Sequence, residues 1–335
     1  MAKKPITALL MHPVVKQELF RQEHMDTLNR VSTLVSEQPF ESTETLLPEL
    51  SNVEVLITSW GCPRIDDRII DKAPRLNLVA HLAGSVKGFV DDVVWRRGIQ
   101  VVNAVSANAV PVAQYTLGAI LLANKRVFSL QQFYKTHQEN RAPWTKEAPD
   151  VGNYQKIIGI VGASHVGRLV IEYLQPFDFR VLVYDPYISP LEARQLGAHK
   201  VGLAELLSQS HVVSLHAPLL QDTRHMINER ELSLMADHTT LINTARGGLI
   251  EPRALERELK RGRIFAVLDT TDPDVLPPNH PYYSLSNVFL TPHIAGSLGR
   301  EVERLTDHIV AELERYSRGQ NLKHQVRREY LARLA

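Results

Sequence analysis

Six polar or charged residues, Ser85, Ser164, Asp185, Arg246, Asp269 and His293, each follow an apolar run that reads as a β-strand. Ligands of open parallel sheets sit beyond the carboxyl ends of the strands, so residues at these places can meet in one crevice. Arg246 lies in Thr244-Ala245-Arg246-Gly247-Gly248, between a strand and a flexible pair. An arginine there holds a carboxylate by two parallel hydrogen bonds and polarises a neighbouring carbonyl; the plain alternative is a surface arginine at a turn. His293, after Pro292 and before Ala295-Gly296-Ser297, is of the type that delivers a proton to a ketone oxygen as hydride reaches carbon. A carboxylate on such an imidazole fixes its tautomer and favours its protonated form. Asp269, Asp272 and Asp274, in LDTTDPDVLPP, stand 19 to 24 residues before His293, and the competing reading is a solvated acidic turn.

These residues need elements to position them, and the stretch KIIGIVGASHVGRLVIEYLQPFDFRVLVYD, from Lys156 to Asp185, is the clearest. An apolar run enters a glycine turn, a helical pattern follows, and a second apolar run ends in an acid. A dinucleotide fingerprint has G-x-G-x-x-G after a strand and an acid about 20 residues on. Gly162 and Gly167 hold the first and third glycine places, while Ser164 holds the second, with a short side chain whose hydroxyl can donate to a phosphate. The helix opening near His165 offers N–H groups and a positive dipole end to that anion. Asp185 suits ribose hydroxyls and repels a 2′-phosphate, which favours NAD over NADP. Methyltransferases, flavoproteins and plain α/β domains use similar turns, so the turn alone leaves those readings open.

At 335 residues the chain is long enough for two α/β domains. Thirty-eight basic and 37 acidic residues leave a net charge of +1, which argues against nucleic acid or a membrane surface as the main partner. Cys62 is the single cysteine, so no intrachain disulfide forms and a reducing, cytoplasmic setting is expected. The start, MAKKPITALLMHP, reads as a first strand, not a signal peptide. No metal is expected. Strands are expected at Ile6 to Met11, Val53 to Ser59, Leu76 to Leu82 and Ile99 to Val102, with one amphipathic helix from Val15 to Val31. A long apolar helix is expected from Val112 to about Tyr134, followed by a loop carrying Trp144. Further on, strands at His211 to His216, Thr240 to Asn243, Phe265 to Asp269 and Val288 to Leu290 alternate with helices, and a final helix runs from Arg300 to Ser317. Such alternation builds parallel sheets with crossover helices.

From about Val79 to Ser297 the chain resembles the D-isomer-specific 2-hydroxyacid dehydrogenase family. The motifs that carry the resemblance are AHLAGSVKGF, VPVAQYTLGAILL, GIVGASHVG with YDP after it, HAPLLQDTRHMI, INTARGGLIE, LDTTDP and LTPHIAGS, in the family's order. The resemblance implies an α/β fold of two Rossmann-like domains: a flavodoxin-like substrate domain at residues 1–103 and 298–335, and an NAD-binding domain at 104–297, with hinges near Asn103 and Gly296. It implies a catalytic set of Arg246, His293 and an acid. The family usually has Glu five residues beyond the strand-end Asp and before proline; here Asp274 holds that place with Val275 after it, and Asp272, followed by Pro273, competes. The loop Ala83-Gly84-Ser85-Val86 would offer N–H groups to a substrate carboxylate, a nest-type site. NAD contacts are implied for Ser85, His165, Val166, Asp185, Ala217, Thr244, Ala245 and Asp269, beside Gly162, Ser164 and Gly167. Gln114 stands where the family has an acid in its long helix. The implied partner is a small 2-hydroxy or 2-oxo acid, and the implied assembly a homodimer formed through the NAD-binding domain. Trp60 either walls the substrate pocket or packs in the core. Some relatives bind NAD as co-repressors; retention of Arg246, His293 and a nearby acid favours an enzyme, and an S-adenosylmethionine methyltransferase has no use for that pair.

Overall fold

Short runs rich in Val, Ile and Leu, closed on both faces by helices, dictate parallel strands here. The computed structural model describes residues 4–136, 138 and 151–333. It divides into two units, residues 1–108 with 297–335, and residues 109–296. The expected boundaries at 103/104 and 297/298 differ from these crossings by a few residues, because the helix Val105–Asn124 begins before the first one.

In the first unit β1 (Ile6–Leu10), β2 (Thr33–Leu34), β3 (Val55–Thr58), β4 (Leu78–His81) and β5 (Gln100–Asn103) form a parallel sheet in the order β2-β1-β3-β4-β5. The expected single helix from Val15 is two, Pro13–Leu19 and Gln22–Val31, interrupted by extended backbone at Phe20 and Arg21. Leu19, Phe20, Met25 and Leu28 pack with Leu305, Ile309 and Leu313 of the helix Glu303–Ser317, which seats the C-terminal helix on this unit. Beyond it the chain returns along β5, with Val326 N donating to Val101 O at 2.7 Å and Trp95 Nε1 to Val326 O at 3.1 Å.

The second unit has β6 (Ile157–Val161), β7 (Arg180–Tyr184), β8 (His199–Lys200), β9 (Val212–Leu215), β10 (Thr240–Asn243), β11 (Phe265–Leu268) and β12 (Val288–Leu290), ordered β12-β11-β10-β9-β6-β7-β8. The order reverses between β6 and β9, the topological switch point where doubly wound sheets bind nucleotides. The long apolar helix also differs from expectation. It starts at Val105 and stops at Asn124, and a second helix, Val127–Thr136, follows a turn in which Arg126 has φ +53°. Helix Val105–Asn124 is long and apolar enough to cross a membrane by length and composition alone, yet Ala113, Ala119 and Ile120 lie buried in this unit's core with Ile158, Ile160 and Val170. Trp144 lies outside the described residues.

Candidate active site

The glycine turn follows β6. Gly162 has φ +99°, and a Cβ there would stand 2.7 Å from Ala217 N. A Cβ on Gly167 would stand 2.0 Å from Gly162 O. Backbone meets backbone at both places, so no side chain fits. Ser164 is the N-cap of helix His165–Leu174, its hydroxyl oxygen accepting from Gly167 N at 3.4 Å. That commits one of the oxygen's lone pairs to the helix and leaves the hydroxyl proton to donate. First-turn N–H groups have no intrahelical acceptor, and a helix end of this kind suits an anion. Asp185, directly after β7, accepts from Ala163 N and Tyr187 N, both at 2.7 Å. Its carboxylate is thereby fixed over the turn, with lone pairs remaining for hydroxyl donors. Arg168 donates to Ala163 O and to Glu192 Oε1 at 2.6 Å, so its charge is already matched. Under the turn, His216 is buried with Nε2 2.9 Å from Ser214 Oγ, and burial pushes its pKa down to about 3.

Arg246, the acids and His293 follow β10, β11 and β12, three neighbouring strands. Buried Asn243 closes the first turn: its Oδ1 accepts from Ala245 N at 3.1 Å and its Nδ2 donates to Arg246 O at 2.9 Å. Arg246 itself is exposed, with Nη1 donating to Ala245 O at 2.7 Å. A Cβ on Gly247 would lie 2.0 Å from the Thr271 carbonyl, so this glycine lets the Arg246 turn rest on the acidic loop. Asp269 is 2% exposed. Its Oδ1 accepts from Thr291 Oγ1 at 2.6 Å and Ile294 N at 2.8 Å, its Oδ2 from Ala295 N at 2.9 Å, and its carbonyl from His293 N at 3.0 Å. One buried carboxylate thus pins the loop that carries His293, whose φ of +57° a non-glycine residue adopts only when held.

The structure separates the two competing acids. His293 Nδ1 lies 3.3 Å from both carboxylate oxygens of Asp274, at the long end of hydrogen-bond range. Asp272 instead faces Arg224, whose Nη2 is 3.2 Å from its Oδ2. Thr271 Oγ1 donates toward Pro273 O at 2.8 Å and holds the intervening turn. With Nδ1 facing Asp274, Nε2 is the ring nitrogen of His293 that this pair leaves open.

In the first unit, Ala83, Gly84 and Ser85 follow β4. Ala104 N donates to Ala83 O at 3.0 Å, and Ser85 Oγ accepts from Lys87 N at 3.3 Å. A Cβ on Gly84 would meet nothing within 4 Å, so packing does not itself require glycine there. Trp60, after β3, is 37% exposed. His81 is fully buried, with Nδ1 2.9 Å from Thr58 Oγ1, and burial lowers its pKa to about 4.

A family model described as "D-isomer specific 2-hydroxyacid dehydrogenase, NAD binding domain" matches residues 117–295. The chain belongs to the D-isomer-specific 2-hydroxyacid dehydrogenase family. As a member it is an NAD-dependent oxidoreductase that acts on D-2-hydroxy acids and binds a nicotinamide dinucleotide. It is 31% identical to a glyoxylate reductase of Aeropyrum pernix over 290 residues, 85% of this chain and 86% of that protein. It is 30% identical to a D-3-phosphoglycerate dehydrogenase of Methanocaldococcus jannaschii over 270 residues, 80% of this chain, and the match spans about half (50%) of that protein. The crystal structure of the TT0316 protein from Thermus thermophilus superposes with a TM-score of 0.74 at 28% identity, covering 96% of this chain and 100% of that one.

The family's motifs contain Tyr115, Thr116, Thr244 and Thr291 but do not disclose how these residues pair. Tyr115 OH bonds Thr291 Oγ1 at 2.8 Å, and Thr116 Oγ1 bonds Thr244 Oγ1 at 2.9 Å, so the long helix braces two strand-end turns. Burial raises the Tyr115 pKa, the bond to Thr291 opposes this, and the Asp269 charge adds to it. These partners lie 176 and 128 positions apart, beyond any local pattern. Asn243 had a local signal, standing two residues before a predicted turn, where Asn side chains cap their own backbone.

Proposed function

We propose that the protein reduces a 2-oxo acid to the D-2-hydroxy acid with NADH, and runs the reverse with NAD. The pairing of His293 with Asp274 at 3.3 Å carries this reading, since a role confined to nucleotide binding needs no such pair. The nicotinamide supplies hydride to C2 or takes it back. Arg246 binds the substrate's carboxylate and polarises its carbonyl. His293 holds a proton at Nε2 for the carbonyl oxygen and removes it in reverse, while Asp274 orients the ring and fixes its tautomer. Ala83, Gly84 and Ser85 are assigned to the substrate carboxylate, with Gly84 allowing close approach. On the coenzyme, Gly162, Ser164, His165, Val166 and Gly167 take the pyrophosphate and Asp185 the adenosine ribose. Ala217, Thr244 and Ala245 line the remainder, and Asp269 holds the neighbouring loop. Asp185 favours NAD over NADP, and the neighbouring Arg168 is already paired with Glu192.

The relatives' names set the substrate question between glyoxylate and a phosphorylated acid. Trp60 as a wall suits small or apolar substituents, so glyoxylate and short apolar 2-oxo acids lead. A homodimer through the second unit is part of this reading, supported by the exposed Leu122, Val127 and Tyr134. The test is a panel of 2-oxo acids with NADH or NADPH, followed at the nicotinamide absorbance. Turnover of a small 2-oxo acid with NADH, abolished in His293→Ala, is expected; tight NADH binding without turnover of any acid would instead favour a co-repressor-like role.

A further inference from the structure

Two strand ends of the first unit are tied together beneath the loops assigned to the substrate. β3 and β4 are parallel neighbours, and the last pair of their ladder is Thr58 with His81. Each strand then enters a loop of interest: Trp60 follows β3, while Ala83, Gly84 and Ser85 follow β4. Ser59 and Leu82 stand between ladder and loop, and both are fully buried.

Leu82 is held at both of its backbone groups. Its N–H donates to Thr58 O at 2.7 Å, a bond that any residue at position 58 can accept. Its carbonyl, in the peptide that leads into Ala83, accepts from Ser59 Oγ at 3.1 Å, and this bond needs a hydroxyl at position 59. The carbonyl of Ser59 in turn accepts from Cys62 N at 3.1 Å, closing the turn that carries Trp60 and Gly61, the latter at φ +73°. Ser59 thus has its carbonyl in the Trp60 turn and its hydroxyl on the Gly84 loop. Buried carbonyls are nearly always paired, so the Ser59 bond keeps the two loops at one spacing. The hydroxyl of Thr58 is equally buried, but its bond, to His81 Nδ1 at 2.9 Å, joins the last ladder pair below the loops.

We propose that Ser59 is a positioning residue for the substrate. The inference rests on the assignment of the Gly84 loop to the substrate carboxylate and of Trp60 to the pocket wall. Given that assignment, the Ser59 hydroxyl fixes the distance from carboxylate clamp to wall and thereby the size of 2-oxo acid that fits. A misplacement of about 1 Å can cost about 100-fold. The loss falls on substrate binding, because Arg246 and His293 belong to the second unit.

The test is steady-state kinetics of Ser59→Ala with glyoxylate and with pyruvate at saturating NADH, beside Gly84→Ala and Thr58→Val. In Ser59→Ala the KM for glyoxylate rises about tenfold with kcat within about twofold, the pattern of lost uniform binding. The ratio of kcat/KM for the two acids shifts by about threefold or more, and NADH affinity is unchanged. Thr58→Val lowers the melting temperature and leaves both KM values within about twofold. An unchanged KM in Ser59→Ala, with a raised one in Gly84→Ala, overturns the proposal and leaves the carboxylate assignment standing. Equal rises of KM in Ser59→Ala and Thr58→Val mean general loosening of the strand ends and also overturn it. An unchanged KM in Gly84→Ala removes the carboxylate assignment, and the proposal falls with it.

Discussion

His293 and its acid give the sharpest test at the scale of single residues. If Asp274 orients the imidazole, Asp274→Asn lowers kcat by about 10–100-fold, up to the lower end of what acid–base catalysis contributes, and Asp274→Glu recovers most of it. Asp272→Asn, which touches only the Arg224 pair, stays within about twofold, as an exposed ion pair contributes little. Equal losses in Asp272→Asn and Asp274→Asn, measured as steady-state rates, would remove Asp274 from its assigned place. Gly84 tests the other end of the substrate. Because its Cβ meets nothing in the fold, Gly84→Ala keeps the melting temperature of the parent. A methyl group where the carboxylate approaches raises KM for the 2-oxo acid about tenfold, and an unchanged KM would take the substrate away from this loop.

At the scale of elements, the glycine turn was legible because its parts are neighbours in sequence: Gly162, Ser164, Gly167 and the acid Asp185 one helix later. The structure changed what Ser164 does, from phosphate donor alone to helix cap as well, since an N-cap serine is recognised only once the helix start is fixed at His165. Strand-end placement of Arg246, Asp269 and His293 was readable for the same reason, as apolar runs mark strands. The break at Arg126 was not, because an arginine at φ +53° carries no local signal and its guanidinium contacts lie 112 and 114 positions on. Nor was the role of Asp269 in tying down the loop of His293, which depends on two separate strands lying side by side. Two expectations follow for these elements. Gly167→Ala forces the helix away from Gly162 O, so NADH affinity falls more than about tenfold and the unfolding midpoint drops, a core-clash effect of about 1–3 kcal/mol. Thr291→Val removes one of the four bonds between Asp269 and the loop; kcat falls while NADH affinity, read by fluorescence titration, holds. A fall in NADH affinity with kcat intact would mean that Thr291 serves the coenzyme instead.

Among the described residues, each unit buries a histidine at a strand end: His81 at the end of β4 in the first and His216 just after β9 in the second. Burial lowers both pKa values, to about 4 and about 3, against 6.5 for the unfolded side chain. Below pH 6.5 the unfolded chain takes up a proton that the folded chain refuses. Stability is therefore full above about pH 6.5 and declines as pH falls, by about 1.4 kcal/mol per pH unit for each histidine. The decline stops for each group when the folded pKa is reached. Between pH 6.5 and pH 5 each histidine alone removes about 2 kcal/mol, and because the two sit in different units, both units weaken together. Urea unfolding at pH 7.5 and pH 5.0 checks this. His216→Gln, which has no titrating ring, starts less stable at pH 7.5 because its packing under the glycine turn is lost. It should nevertheless lose about 2 kcal/mol less than the parent on acidification. Parallel losses in parent and variant would mean that the acid sensitivity lies elsewhere than in His216.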